Sequence, residues 1–173
     1  MQTMGVIGAG QMGAGIAQVS AAAGYRVILS DVDQARAEAG KAGIAKRLAR
    51  DVEKGKIDEQ ARDALLGRIE PVGDVAAMAP CALVIEAATE REAIKRQIFA
   101  AAGQVLGRDA VLASNTSSIP ITRLAQAAPD PARFIGVHFF NPVPVMGLIE
   151  IIPGLATAKE TVAAVSAYAD SLK

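Results

Sequence analysis

An α/β fold, with a doubly wound and mostly parallel sheet carrying helices on both faces, follows from three features of these 173 residues. Apolar runs of strand length alternate along the chain with segments of helical spacing. The first run, residues 4–7, passes directly into Gly8-Ala9-Gly10-Gln11-Met12-Gly13. The composition is 51% hydrophobic but only 3% aromatic, without Trp, which suits helices packed closely on a sheet better than an aromatic-rich barrel.

After Gly13, Ile16, Val19 and Ala23 keep helical spacing up to a stop at Gly24, and residues 26–31 form a second strand ending in Asp31. Strand, glycine turn, helix and strand with a terminal acid make a βαβ unit of Rossmann type. Gly8 permits the tight turn, Gly10 lets the backbone approach a pyrophosphate, and Gly13 lets helix and strand pack closely. The helix N-terminus then presents free N–H groups to the phosphates. Asp31, eighteen residues after Gly13, is placed to accept from the adenosine ribose hydroxyls and to repel a 2′-phosphate, which favours NAD over NADP.

Residues 33–56 read as a long helix rich in Ala, Lys and Arg, and 58–66 as a shorter amphipathic one. The cations Lys41, Lys46, Arg47, Arg50, Lys54 and Lys56 form either a solvated face or a holder for a polyphosphate substrate. Residues 68–72 predict an edge strand, because Pro71 cannot complete a central ladder. Strands over 82–88 and 110–114, a helix over 91–106 between them, a strand over 134–139 and a final amphipathic helix over 157–172 complete the pattern.

Eighteen basic residues balance eighteen acidic ones, so no net field draws the chain to nucleic acid or to an anionic membrane surface. No run reaches membrane-spanning length, and the start lacks the basic and long apolar regions of a signal peptide. The single cysteine, Cys81, excludes an intrachain disulfide framework and reads as a packing residue. A cytoplasmic protein of one domain is the resulting expectation, and no cluster of residues has metal-ligand spacing.

The only histidine, His138, ends the run over 134–139 and is followed by Asn141-Pro142-Val143-Pro144, which forces a turn. Glu150 lies within the otherwise apolar run 148–152, where a carboxylate is costly without a specific partner. Folding back about Pro144 sets His138 opposite Glu150 as a cross-strand pair. Such a carboxylate holds one imidazole tautomer and stabilises the imidazolium, preparing the ring to take a proton. A structural histidine at a strand end with an edge glutamate is the other reading of the same residues. In an open parallel sheet ligands lie beyond the carboxyl ends of the strands. The glycine turn, Asp31, residues 86–90, residues 115–118 and His138 all fall there.

Four segments carry a family resemblance that covers essentially the whole chain: residues 8–18, Ile85-Glu86-Ala87-Ala88-Thr89-Glu90, Ala113-Ser114-Asn115-Thr116-Ser117-Ser118 and residues 138–146, His138-Phe139-Phe140-Asn141-Pro142 onward. They resemble the 3-hydroxyacyl-CoA dehydrogenases, particularly the bacterial 3-hydroxybutyryl-CoA enzymes, and the last two segments are far more specific than the glycine fingerprint. The resemblance implies an NAD-dependent oxidation of a 3-hydroxyacyl-CoA, with His138 as general base and Glu150 as its orienting carboxylate. It implies that Ser117 binds the substrate hydroxyl and that Asn115 positions substrate and nicotinamide. Gln11 and Met12 would join Gly8, Gly10, Gly13 and Asp31 in holding NAD, Glu90 and Lys95 would lie by the nicotinamide ribose, and Asn141 and Lys54 would contact the substrate, Lys54 at its CoA moiety. Enzymes of the family continue into a helical C-terminal domain that completes the acyl pocket and most of the homodimer contact. Residues 1–173 are accordingly expected to be the NAD-binding domain of a longer protein.

Two other readings compete. A non-catalytic dinucleotide-binding relative is opposed by the joint presence of Ser117, His138 and Glu150. A lysine-dependent β-hydroxyacid dehydrogenase shares the fingerprint but lacks the motif at 138–142.

Overall fold

In the computed structural model, which describes residues 2–172, the expected βαβ unit supplies two adjacent inner strands of the sheet. Strand β1 (Thr3–Ile7) leads through the glycine turn into α1 (Gln11–Ala22) and on to β2 (Arg26–Ser30), which pairs in parallel with β1. Helix α2 (Gln34–Glu53) starts where the Asp33 side chain accepts from the Arg36 N–H, and α3 (Glu59–Gly67) where Asp58 accepts from Ala61. Capping by a short acid satisfies backbone donors that have no partner within the helix, which is why both helices begin one residue after an aspartate.

Strand β3 (Ile69–Val72) occupies one edge of the sheet, as Pro71 requires. Beyond it come β4 (Leu83–Glu86), α4 (Glu92–Val105), β5 (Val111–Ser114), a short helix α5 (Ile121–Leu124), β6 (Phe134–Phe139), β7 (Ile149–Pro153) and α6 (Lys159–Ser171). The strand order is β3-β2-β1-β4-β5-β6-β7, all parallel except β7, which runs antiparallel to β6. Strand order reverses between β1 and β4, and at such a switch point the loops diverge and leave a crevice.

Side chains alternate across the strands. Met4, Val6, Val27, Leu29 and Ile85 pack with Ile16, Ile44 and Val165 on one face, while Ile7, Ile28, Val84 and Leu112 meet Met78, Phe99 and Leu124 on the other. Burial pushes the Cys81 thiol up to about 12, in line with a packing residue and unlike a reactive thiol. Helix α6 begins at Lys159, just after the Thr157 hydroxyl is engaged, accepting from Gly154 and donating to the Phe134 carbonyl. Among the described residues no helix is long and apolar enough to cross a membrane.

Candidate active site at the carboxyl edge of the sheet

The glycine turn is built as its spacing implies. Gly8 has φ +105°, and a Cβ there would lie 2.6 Å from the Ala87 carbonyl oxygen. At Gly13 a Cβ would sit 1.6 Å from the Gly8 carbonyl oxygen, so helix and strand can close only over hydrogen. Gly10 differs, because a Cβ there would meet nothing within 4 Å: it borders open space at the start of α1. No side chain caps that helix and no acid occupies its first turn. The N–H groups of Gln11, Met12 and Gly13 therefore keep the positive end of the helix available to an anion.

Asp31 stands at the end of β2 with both carboxylate oxygens committed to backbone: Ala9 N–H donates to Oδ2 at 2.8 Å and Val32 N–H to Oδ1 at 2.7 Å. The acid thus fastens the glycine turn to β2 as well as facing a cleft of about 630 Å³ lined by Gly8, Gly10, Val32, Arg36, Ala88 and Thr89. A dinucleotide is matched by this combination of a bare backbone, an uncapped helix start and a ribose-height acid.

At the ends of β4 and β5 lies a group of charges that no sequence pattern marks as a unit. Glu86 is 0% exposed and Lys95 1%. Lys95 Nζ donates to Glu86 Oε1 at 2.6 Å and to Ser114 Oγ at 3.3 Å, Ser114 Oγ donates to the same Glu86 oxygen at 2.8 Å, and Ala88 N–H donates to Glu86 Oε2 at 2.8 Å. Glu90 comes within 3.7 Å of Lys95 and accepts from the hydroxyls of Thr116 and Ser118. Lys95, expected with Glu90 by the nicotinamide ribose, turns its ammonium inward to Glu86, and Glu90, half exposed, is the member of the group that faces outward. An acid ending the apolar strand of residues 83–86 was the available signal for this pair.

Asn115 is tied to both neighbouring strands, its N–H donating to the Glu86 carbonyl and its Oδ1 accepting from Phe139 N–H at 2.8 Å. That second bond links the end of β5 to the residue after His138. Ser117 is exposed in the same loop. His138 and Glu150 are direct cross-strand partners, with Nδ1 2.9 Å from Glu150 Oε1. A carboxylate on Nδ1 holds the proton there and leaves Nε2 with its lone pair, the state of a proton acceptor. Phe140 packs edge-on to the imidazole at 4.5 Å between centroids. Glu150 has in His138 the specific partner its apolar run calls for, and on the edge strand β7 its side chain is also 52% exposed, so its hydration is only partly lost.

Asn141 is exposed in the turn that follows β6. Lys54 caps the far end of α2. It lies about 20 Å along the helix axis from Gly40, where α2 touches the glycine turn. Between them Arg47 is more informative than a solvated cation. Its Nε donates to Gln18 Oε1 at 3.0 Å, while Nη2 is buried without a partner and burial lowers its pKa. Arg47 lines a recess with Gln11, Ala14, Gly40 and Gly43.

A family model described as "3-hydroxyacyl-CoA dehydrogenase, NAD binding domain" matches residues 3–173. A probable 3-hydroxybutyryl-CoA dehydrogenase of Deinococcus radiodurans is 49% identical over 168 residues, 97% of this chain and 60% of the relative. The 3-hydroxybutyryl-CoA dehydrogenase of Bradyrhizobium diazoefficiens is 50% identical over 161 residues, 93% of this chain and 55% of its own. Among solved structures, the (S)-3-hydroxybutyryl-CoA dehydrogenase of Ralstonia eutropha superposes with a TM-score of 0.97 at 42% identity, covering 99% of this chain and 61% of that one. The chain thus spans a little over half the length of the relatives it matches.

Proposed function

Because the chain belongs to the 3-hydroxyacyl-CoA dehydrogenase NAD-binding domain family, we propose that it is the coenzyme-binding part of an enzyme oxidising a 3-hydroxyacyl-CoA to the 3-ketoacyl-CoA. The observation that carries the reading is the His138–Glu150 pair at 2.9 Å, set at the carboxyl edge of the sheet beside Asn115. NAD would be held by the glycine turn of Gly8, Gly10 and Gly13 and by Asp31, and would supply the acceptor for the hydride of the substrate's C3. His138 Nε2 takes the hydroxyl proton as that hydride leaves, and Glu150 stabilises the imidazolium that results. Ser117 donates to the substrate oxygen, and Asn115, fixed by Phe139 N–H, orients substrate against cofactor. In the reverse direction the same imidazolium returns its proton to the forming alkoxide.

The thioester's nucleotide end is assigned to Arg47 and Lys54, supported by the unpartnered guanidinium nitrogen of Arg47 and by the fit of a planar guanidinium to phosphate oxygens. We further infer that the full-length protein closes its acyl pocket and its homodimer with a helical C-terminal domain, and works in the cytoplasm. The exposed apolar side chains of Val145, Met146, Leu148, Ile152 and Leu155 support a covering of that kind.

Two measurements test the reading. Replacing Asp31 by Ala removes a ribose acceptor, the charge that opposes a 2′-phosphate and the tie to Ala9, so NAD binding should weaken while the NADP to NAD affinity ratio rises. An unchanged ratio in a titration would count against the role of Asp31. Second, this chain should bind NADH in a fluorescence titration yet reduce acetoacetyl-CoA orders of magnitude more slowly than protein of the relatives' full length, since lost positioning alone can cost several kcal/mol of barrier. Equal turnover by the two would overturn the shared pocket, and an absence of NADH binding would overturn the coenzyme assignment.

A further inference from the structure

The adenosine end of the cleft holds two opposite charges. Asp31 and Arg36 both line it, and both also line the recess beside Gly10 and Gln11. Asp31 closes β2, and Arg36 sits in the first turn of α2 with its side chain 69% exposed. Its one charged neighbour among the described residues is Asp33, 3.8 Å from Nε. Asp33 is itself occupied as the cap of α2, accepting from the Arg36 backbone N–H at 2.8 Å. The two terminal guanidinium nitrogens have no hydrogen-bond partner among the described residues. Asp74, the other acid lining the cleft, accepts from Ala76 N–H and closes its own turn.

We infer that Arg36 is a second specificity-determining residue of the cleft, a ligand for a 2′-phosphate whose attraction is outweighed in the native chain by the charge of Asp31. This inference rests on the proposed dinucleotide reading of the cleft. A 2′-phosphate on the adenosine ribose would occupy the space next to the ribose hydroxyls, against Asp31. Two anions placed side by side repel in a cleft only partly open to water. Arg36, five residues on and at the rim of the same cleft, supplies the planar fork of donors that phosphate takes bidentately. With Asp31 charged, repulsion and attraction oppose each other, and the repulsion wins because the carboxylate is held rigidly by two backbone donors while the exposed arginine must give up side-chain freedom to hold the phosphate. Removing the charge alone should therefore turn the cleft towards NADP without any new cation being introduced.

The substitution must keep the carboxylate's second duty. Asp31→Asn retains an oxygen that can accept from Ala9 or Val32, and Asp31→Ser serves as an independent variant should the amide disturb the turn. The experiment is a fluorescence titration of NADH and NADPH, with 2′,5′-ADP and ADP as competing probes, against the native chain, Asp31→Asn, Asp31→Ser, Arg36→Ala and the Asp31→Asn/Arg36→Ala double variant. The expected result is a rise in the NADPH to NADH affinity ratio of roughly ten- to hundredfold on neutralising Asp31. Most of that gain should vanish in the double variant, and Arg36→Ala alone should lower the native ratio. A gain that survives loss of Arg36, or a native ratio indifferent to Arg36→Ala, overturns the inference. So does NADH binding kept by either Asp31 variant with no gain for NADPH. If the native chain binds neither NADH nor ADP, it is the dinucleotide reading that fails, an outcome separable from the others by that control.

Discussion

Replacing Lys95 by Met is expected to destabilise the chain by about 3–5 kcal/mol, the cost of leaving a buried charge without its partner. Glu86 is fully enclosed, and its Oε1 depends on Lys95 Nζ at 2.6 Å and on Ser114 Oγ at 2.8 Å. Methionine fills nearly the same volume, so a cavity contributes little and the loss reads as electrostatic. Urea or guanidinium denaturation of the cofactor-free chain measures it directly, and in a thermal scan a loss of that size corresponds to a fall in Tm of roughly 6–20 °C. The Glu86→Gln/Lys95→Met double variant removes both charges and should recover much of the loss, since a buried pair exchanged whole for neutral groups is often close to neutral in stability. Were the single Lys95→Met variant within about 1 kcal/mol of the native chain, the pair would be of little consequence to the fold. The same substitution frees Glu90 from the cation 3.7 Å away, so NADH affinity measured alongside stability distinguishes a purely architectural lysine from one that also arranges the cofactor rim.

The second large effect is catalytic. In protein of the relatives' full length, Glu150→Gln should lower turnover by about 10²–10⁴ while NADH binding is kept, the usual range for disabled acid–base catalysis. Glutamine preserves size and a hydrogen-bonding oxygen opposite His138, but it cannot stabilise an imidazolium, so the loss should fall on kcat with little change in KM. Because Glu150 is half exposed on an edge strand, folding stability should hardly move. The Glu150→Gln variant is thus the cleanest separation of chemistry from structure that this site allows, and full activity in it would leave Glu150 as an edge residue only.

The turn about Pro144 illustrates how far residue order can reach. Counting outward from it along two extended segments pairs His138 with Glu150, and the register of β6 with β7 is that pairing. The glycines are equally legible, because a turn that needs φ of +105° at Gly8 and no Cβ at Gly13 admits few other residues. The helix starts at Asp33 and Asp58, the edge position of Pro71 and the acid closing β2 are local matters of the same kind, decided within a few residues along the chain.

Other features depend on distances that no local pattern encodes. Lys95 lies on an amphipathic helix whose spacing gives no reason to bury an ammonium; only the packing of α4 across β4 and β5 delivers it to Glu86 and Ser114. Arg47 is, in the sequence, one cation among the seven of residues 33–56, and it is α1 that brings Gln18 to its Nε and leaves its Nη2 enclosed. The neighbours of Glu150 are apolar and suggest burial, yet on β7, the last strand of the sheet, no residue is buried, and exposure is a property of the sheet rather than of the run. By itself, then, the sequence determined the βαβ core, the cofactor turn and the histidine–glutamate pairing, since each follows from backbone sterics and period-two register. The tertiary structure alone decided which charges are buried and which are free, because burial and pairing are set by long-range packing that brings together residues with no relation along the chain.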